Sequence, residues 1–223
     1  MAHTRFLDFR IPRHRSPPVP VGGRAKRIFD VVAASALIAV MSPMILFVAT
    51  LVVIGDGWPF YIRHNRIGHG GTEFACFKFR TMVLDAEERL RSHLEADQSA
   101  AEEWRQNHKL RNDPRITAVG NVLRKSSADE LLQLVNVIRG EMSLVGPRPI
   151  VRDEAILYGP HFHEYTMARP GLTGLWQVSG RSDTSYDERV RMDCSYVDSW
   201  SLGKDVAIIL KTIPAVLATR GAA

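Results

Sequence analysis

Hydrophobic and polar positions change rhythm several times along the chain, and each change predicts an element. Val31–Ile54 holds 24 consecutive uncharged residues, more than the ~20 apolar residues a membrane-spanning helix needs. Ser42-Pro43 sits in its middle. Proline removes one backbone hydrogen bond and crowds the preceding turn, so a kink or break is expected there. The stretch "FYIRHNRIGHGGTEFACFKFRTM" reads as two short strands about the His69-Gly70-Gly71 turn. Alternation in the second strand puts Phe74, Cys76, Lys78 and Arg80 on one face. Leu84–Leu110 is polar throughout and reads as a long helix or a helix pair with a solvated face. Asn112–Arg115 is a turn. Leu131, Leu134, Val135 and Ile138 fall at helical spacing, with Gly140 placed to end that helix. The C-terminal stretch is amphipathic, with Val206, Ile209, Leu210 and Ile213 along one side. It suits either core packing or the membrane interface.

Composition alters this picture in two places. The net charge of +5 is uneven: residues 1–27 carry seven basic residues against Asp8, and the remainder is close to neutral. Proline, arginine and glycine dominate residues 1–23, which predicts a disordered basic arm facing an anionic partner. Positive charge also lies on both sides of the apolar segment, with Arg24, Lys26 and Arg27 before it and Arg63, Arg66, Lys78 and Arg80 after. The positive-inside rule then favours both ends on the cytoplasmic side. A re-entrant helix over residues 24–56, bent at Ser42-Pro43, satisfies both facts better than a simple span. No secretory signal is expected. Cys76 and Cys194 lie outside any metal-ligand spacing and read as reduced thiols.

The candidate chemistry centres on Asp129 and Glu130. Ser127 and Glu130 have capping-box spacing, so the acids could simply begin a helix. A carboxylate at a helix start is also held ionised, which suits a metal ligand or a nucleophile at phosphorus. Lys78, Arg80, Arg124, Arg148 and Arg169 are candidate phosphate clamps, although a solvated strand face or surface turn explains several equally well. Gly146-Pro147-Arg148-Pro149 is a stiff loop that pre-aims one guanidinium. Walker-type and GxGxxG loops are absent from the sequence, as is any zinc motif. Magnesium prefers one or two carboxylates plus substrate phosphates, so the set points to phosphoryl chemistry at a membrane surface.

The blocks "KRIFDVVAASALIAV…SP", "RIGHGGTEFACFKFRTM", "DPRITAVGNVLRKSSADELLQLVNVIRGEMSLVGPRP" and "RPGLTGLWQVSGR" together resemble the bacterial sugar transferases, the monotopic phosphoglycosyl transferases. The likeness runs from about Lys26 to the C-terminus and is greatest to the undecaprenyl-phosphate galactose phosphotransferases of exopolysaccharide synthesis. It implies a mostly helical α+β fold: a re-entrant helix, then a cytosolic catalytic domain over residues 57–223 with a small hairpin and interfacial helices. It also implies transfer of a sugar 1-phosphate, galactose or glucose, from a UDP-sugar to undecaprenyl phosphate, with release of UMP. Asp129 would be the nucleophile with Mg²⁺ beside it, Glu130 its partner, and the basic residues above would serve phosphates. The setting would be the cytoplasmic face of the bacterial inner membrane, among membrane lipids, with no nucleic acid partner and a homo-oligomer left open. Many members carry proline after Asp-Glu-Leu, where this chain has Leu132. Two rivals stand beside this reading: a glycosyltransferase releasing UDP, and a non-enzymatic membrane-surface adaptor.

Overall fold

The structure, a computed structural model, describes residues 19–107, 109–179 and 184–217. Helix α1 spans Gly23–Asp56, and its apolar length accounts for it. It continues through Pro43 without interruption, so the break expected at Ser42-Pro43 is absent as a gap in the helix. The reason is local. Pro43 has no N–H for the Ala39 carbonyl, and the Ser42 hydroxyl donates to that carbonyl instead, at 2.9 Å, a substitution that bends helices only modestly.

The expected arm falls, for residues 1–18, outside the described residues. Its last part is docked rather than loose: the Val21 N–H donates to the Met167 carbonyl at 3.0 Å, and the Val21 side chain packs on the main core. The boundary at residue 23 is therefore too late.

Strands β1 (Tyr61–Ile67) and β2 (Glu73–Phe79) form the expected antiparallel hairpin, in register from Tyr61↔Phe79 to Ile67↔Glu73. Helices α2 (Ala86–Ala96) and α3 (Gln98–Asn107) are the expected polar pair. Helix α4 (Ala118–Ser126) starts on Thr117, whose hydroxyl accepts from the Gly120 N–H. A 3₁₀ turn, Ala128–Glu130, leads into α5 (Gln133–Arg139), which Gly140 ends in the left-handed conformation. The buried face of α5 is Gln133, Leu134, Asn136 and Val137. Val135 and Ile138, which share the helical spacing, point out. Their helical spacing is real, but the helix is turned so that Asn136 meets the hairpin.

A second sheet lay hidden in the two proline- and glycine-rich loops. Strands β3 (Ser143–Val145) and β4 (Gly171–Thr173) pair in parallel. Their crossover carries α6 (Ala155–Tyr158) and α7 (Phe162–Thr166). Contact is so close that a Cβ on Gly146 would meet the Arg169 carbonyl at 2.3 Å. Helices α8 (Leu175–Ser179), α9 (Tyr186–Asp198) and α10 (Leu202–Leu217) complete the domain. The whole is mostly helical with a few small strands.

Helix α1 enters the domain's packing twice. Near its start, Ala34 joins the core of Leu134, Val137, Leu144, Val145, Tyr196 and Ile208. Near its end, Val48 and Val52 pack with Phe79 and Leu123. Between these points Val40, Leu46 and Phe47 are exposed. A third cluster, Ile67, Ile150, Tyr158, Phe162, Tyr165, Val190 and Cys194, lies under the β3–β4 crossover. Fully burying each such side chain stabilises by ~1.5–3 kcal/mol.

Candidate active site

Asp129 and Glu130 occupy the 3₁₀ turn between α4 and α5. The expected capping box is not there. Ser127 has φ 56°, ends α4, and makes no side-chain cap to the turn that follows. A non-glycine residue in this region carries backbone strain, a feature that clusters at functional turns. The dyad therefore sits at a tight junction of two helices, not on the first turn of a regular one. Leu132, at φ −67°, lies within the range proline itself imposes, so the departure from the common Asp-Glu-Leu-Pro asks for no different φ at that position.

Lys78 projects from β2 onto the dyad. Its Nζ lies 2.6 Å from Glu130 Oε1 and 3.6 Å from Asp129 Oδ2. The Asp129 side chain retains 14% of its exposure and that of Glu130 37%, so Asp129 is the more enclosed. Burial raises the Asp129 carboxyl above the ordinary carboxylate range; Lys78 opposes this, the Glu130 charge adds to it, and Arg124 again opposes it. The expectation that a helix start would lower this pKa is thus reversed: no regular helix begins there, and desolvation dominates. Arg124 stands on the last turn of α4, its Nε donating to Thr81 Oγ1 at 2.9 Å. Of the expected cations, Lys78 and Arg124 are the two whose charges act on Asp129.

The other three sit elsewhere. Arg80 is buried, and its Nη2 donates to the carbonyls of Asp56 and Gly57, each at 2.6 Å. It caps the C-terminus of α1, where a cation suits the exposed carbonyls; β2 ends at Phe79, so the alternation that pairs it with Lys78 stops short of it. Arg169 donates through Nε to the Gly140 carbonyl at 2.8 Å and lines a cavity of about 470 Å³ shared with Arg139, Glu141 and the hairpin turn. That cavity lies at the far end of α5 from the dyad. Burial and neighbouring Arg27 lower the Arg169 pKa. Arg148 is exposed, its guanidinium 5.7 Å from the Trp176 ring centre, and Arg189 lies 4.6 Å from the same centre.

Several residues that hold this arrangement were not singled out from the sequence. Asn136 is fully buried and clamps β2: its Oδ1 accepts from the Phe77 N–H at 3.0 Å, and its Nδ2 donates to the Ala75 carbonyl at 2.7 Å. The available signal was a pair of amides, Gln133 and Asn136, in the otherwise apolar run "LLQLVNVI". His64 and Arg66 share the Lys78 face of the hairpin. Burial lowers the His64 pKa, with Arg66 and Lys78 adding to the effect. Arg66 reaches across to the Pro149 carbonyl at 3.3 Å, linking the hairpin to the Arg148 loop. Only the cross-strand register reveals that row.

Comparison with known proteins places the chain as a whole. Residues 21–219 match the bacterial sugar transferase family. The exopolysaccharide production protein ExoY of Rhizobium meliloti is 53% identical over 213 residues, covering 96% of this chain and 94% of the relative. The undecaprenyl-phosphate galactose phosphotransferase of Salmonella typhimurium is 49% identical over 88% of this chain, which spans only 41% of that protein. The UDP-glucose:undecaprenyl-phosphate glucose-1-phosphate transferase of Caulobacter vibrioides is 40% identical over 98% of this chain and 79% of the relative. The chain belongs to the bacterial sugar transferase family. It is an enzyme of the phosphoglycosyl transferase class, which sets aside the adaptor alternative.

Proposed function

We propose that the enzyme transfers a sugar 1-phosphate from a UDP-sugar to undecaprenyl phosphate, releasing UMP, as the first membrane step of exopolysaccharide synthesis. The observation that carries this is the enclosed Asp129 carboxylate, paired with Glu130 on a single lysine. A carboxylate oxygen of Asp129 attacks the phosphorus bearing the sugar. The bond to the uridylyl oxygen breaks, and UMP leaves with that electron pair. An oxygen of undecaprenyl phosphate then attacks the same phosphorus, the bond to Asp129 breaks, and the carboxylate is restored. Lys78 and Arg124 offset charge accumulating at the dyad. Glu130 keeps Lys78 aimed and is placed to share proton handling. Arg148 holds a substrate phosphate; Arg80 and Arg169 contribute through the ends of α1 and α5 that they hold.

The donor set also suits Mg²⁺: two adjacent carboxylates are hard oxygen ligands, and burial leaves Asp129 short of positive charge. Asp129, with Glu130 in support, would hold the ion, which when bound supplies charge neutralisation for the diphosphate. The relatives named for galactose and for glucose make both sugars candidates here.

The membrane arrangement follows the same logic. One described helix, α1, is long and apolar enough to cross a membrane. Both its ends pack on one domain, and Arg80 ties its C-terminus to the strand that carries Lys78. This supports a re-entrant helix whose two ends stay on the cytoplasmic face of the inner membrane. On α10, exposed Leu202, Val206, Leu210 and Ile213 form one stripe, which suits the lipid interface; Ile209, expected on that stripe, turns partly inward.

The test is nucleotide release from a panel of UDP-sugars with undecaprenyl phosphate. UMP should appear with UDP-galactose or UDP-glucose and vanish with Asp129→Asn. UDP as the sole nucleotide product would instead establish a glycosyltransferase.

A further inference from the structure

We propose that His161, Glu164 and Cys194 bind a borderline divalent cation of the zinc type, which ties α7, in the β3–β4 crossover, to α9. The site shares no residue with the dyad and needs none of the reaction proposed above.

The ligands come from two places in the fold. His161 ends the 3₁₀ turn Gly159–His161, and Glu164 follows three residues on, in α7, so the two side chains leave one face. Cys194 stands on α9, which packs against α7. An imidazole nitrogen, a carboxylate oxygen and the sulfur lie within 4.8 Å of one another. Tetrahedral bonds of ~2.0–2.3 Å put ligand atoms about 3.3–3.8 Å apart. Closing the set therefore asks for a movement of roughly an ångström, which the exposed His161 side chain can supply. Spacing along the chain does not show the set, because β4 and α8 intervene before Cys194.

The fold leaves the acid of this set incomplete. Glu164 Oε2 is buried and has no hydrogen-bond partner among the described residues, which is costly for a carboxylate. Its Oε1 lies 3.9 Å from His161 Nδ1, beyond hydrogen-bond range. Cys194 is a buried free thiol. Burial pushes it up to about 11, and the nearby Glu164 charge adds to this. A cation among the three completes the carboxylate and takes the sulfur as thiolate, the thiol proton passing to solvent. The donor set selects the ion: thiolate and imidazole suit zinc, whereas magnesium takes oxygen ligands. Three protein ligands leave a fourth position for water. The tie falls beside Tyr165, whose hydroxyl donates to the Ile67 carbonyl at 2.7 Å. Its effect is thus on the stability of the crossover.

The experiment uses the untagged full chain in detergent, stripped with a chelator, in the parent and in Asp129→Asn, where the dyad offers the ion one carboxylate fewer. Co²⁺ should give a near-ultraviolet thiolate-to-cobalt charge-transfer band in both. Zn²⁺ at a hundredfold excess over its Kd should raise the melting temperature by about 5–10 °C, and Mg²⁺ should not reproduce this in Asp129→Asn. Cys194→Ser should abolish the band. Glu164→Gln and His161→Ala should keep it but weaken binding about tenfold or more. His161→Ala alters an exposed side chain, so it carries the test if the buried variants do not fold. The proposal is overturned if no band forms, if the band survives in Cys194→Ser, or if His161→Ala binds as tightly as the parent.

Discussion

Asp129 is a carboxylate that the protein makes harder to ionise, and Lys78 is the group that limits the damage. The nucleophilic role proposed for Asp129 requires its ionised form, so turnover should fall as pH drops through the raised pKa of Asp129. Removing the lysine charge raises that pKa further. Lys78→Met should therefore move the acidic limb of the kcat/KM profile to higher pH, and lower the plateau on the order of 100-fold. An acidic limb that stays in place would show that Lys78 does not act through Asp129. The sequence showed the acids and the lysine but not their distance, because 50 residues and a helix pair separate them. It also suggested a cap that would lower the pKa. One backbone angle, φ 56° at Ser127, replaces that cap by a tight 3₁₀ turn, and burial of Asp129 then reverses the sign.

At the scale of elements, what aims Lys78 is the union of the hairpin with α5. Asn136 supplies backbone-like hydrogen bonds to β2, so α5 presents Asn136 and Val137 inward with Leu134 and leaves Val135 and Ile138 outside. Helix α1 presents the other element-scale question. Ser42 repairs the carbonyl left by Pro43, so the helix stays hydrogen-bonded while the proline still crowds its preceding turn. Cys76 and Cys194 are both buried, which leaves cysteines introduced at Ser16 and at exposed Glu95 as reporters of topology. With an impermeant thiol reagent, both should label in inverted vesicles and neither in intact cells. Pro43→Ala should shift a fraction of Ser16→Cys to labelling from the outer side. Opposite-side labelling in the parent would mean that α1 spans.

Across the whole molecule, the membrane helix is fastened to the catalytic domain by buried polar contacts rather than by apolar packing alone. Lys26 Nζ meets Asp205 Oδ2 at 2.5 Å, with side chains 4% and 0% exposed. Asp205 also accepts from the Tyr196 hydroxyl and the Trp200 ring N–H. Arg27 caps the end of α5 through the Val137 and Ile138 carbonyls, and Asp30 accepts from Ser143 and Leu144 on β3. Breaking a buried pair leaves a stranded charge, which costs about 3–5 kcal/mol. Lys26→Met should lower the melting temperature in detergent on the order of 10 °C, and adding Asp205→Leu should recover part of the loss. A melting temperature within a degree or two of the parent would show that the pair fastens nothing.

The sequence by itself determined the apolar helix, the hairpin and its turn, the polar helix pair and the family, because each of these is written in local periodicity or in contiguous blocks. It also placed the dyad. Tertiary structure alone decided that Lys78 and Arg124 act on Asp129, that Arg80 and Arg169 cap helix ends instead, and that two three-residue strands pair in parallel inside what read as loops. Those outcomes depend on contacts between residues far apart in the chain and on desolvation, which no spacing along the sequence encodes. The basic residues at the start of α1 illustrate the division: their charge was plain from the sequence, but only the folded chain shows that Lys26 and Arg27 are turned inward to hold the helix to its domain.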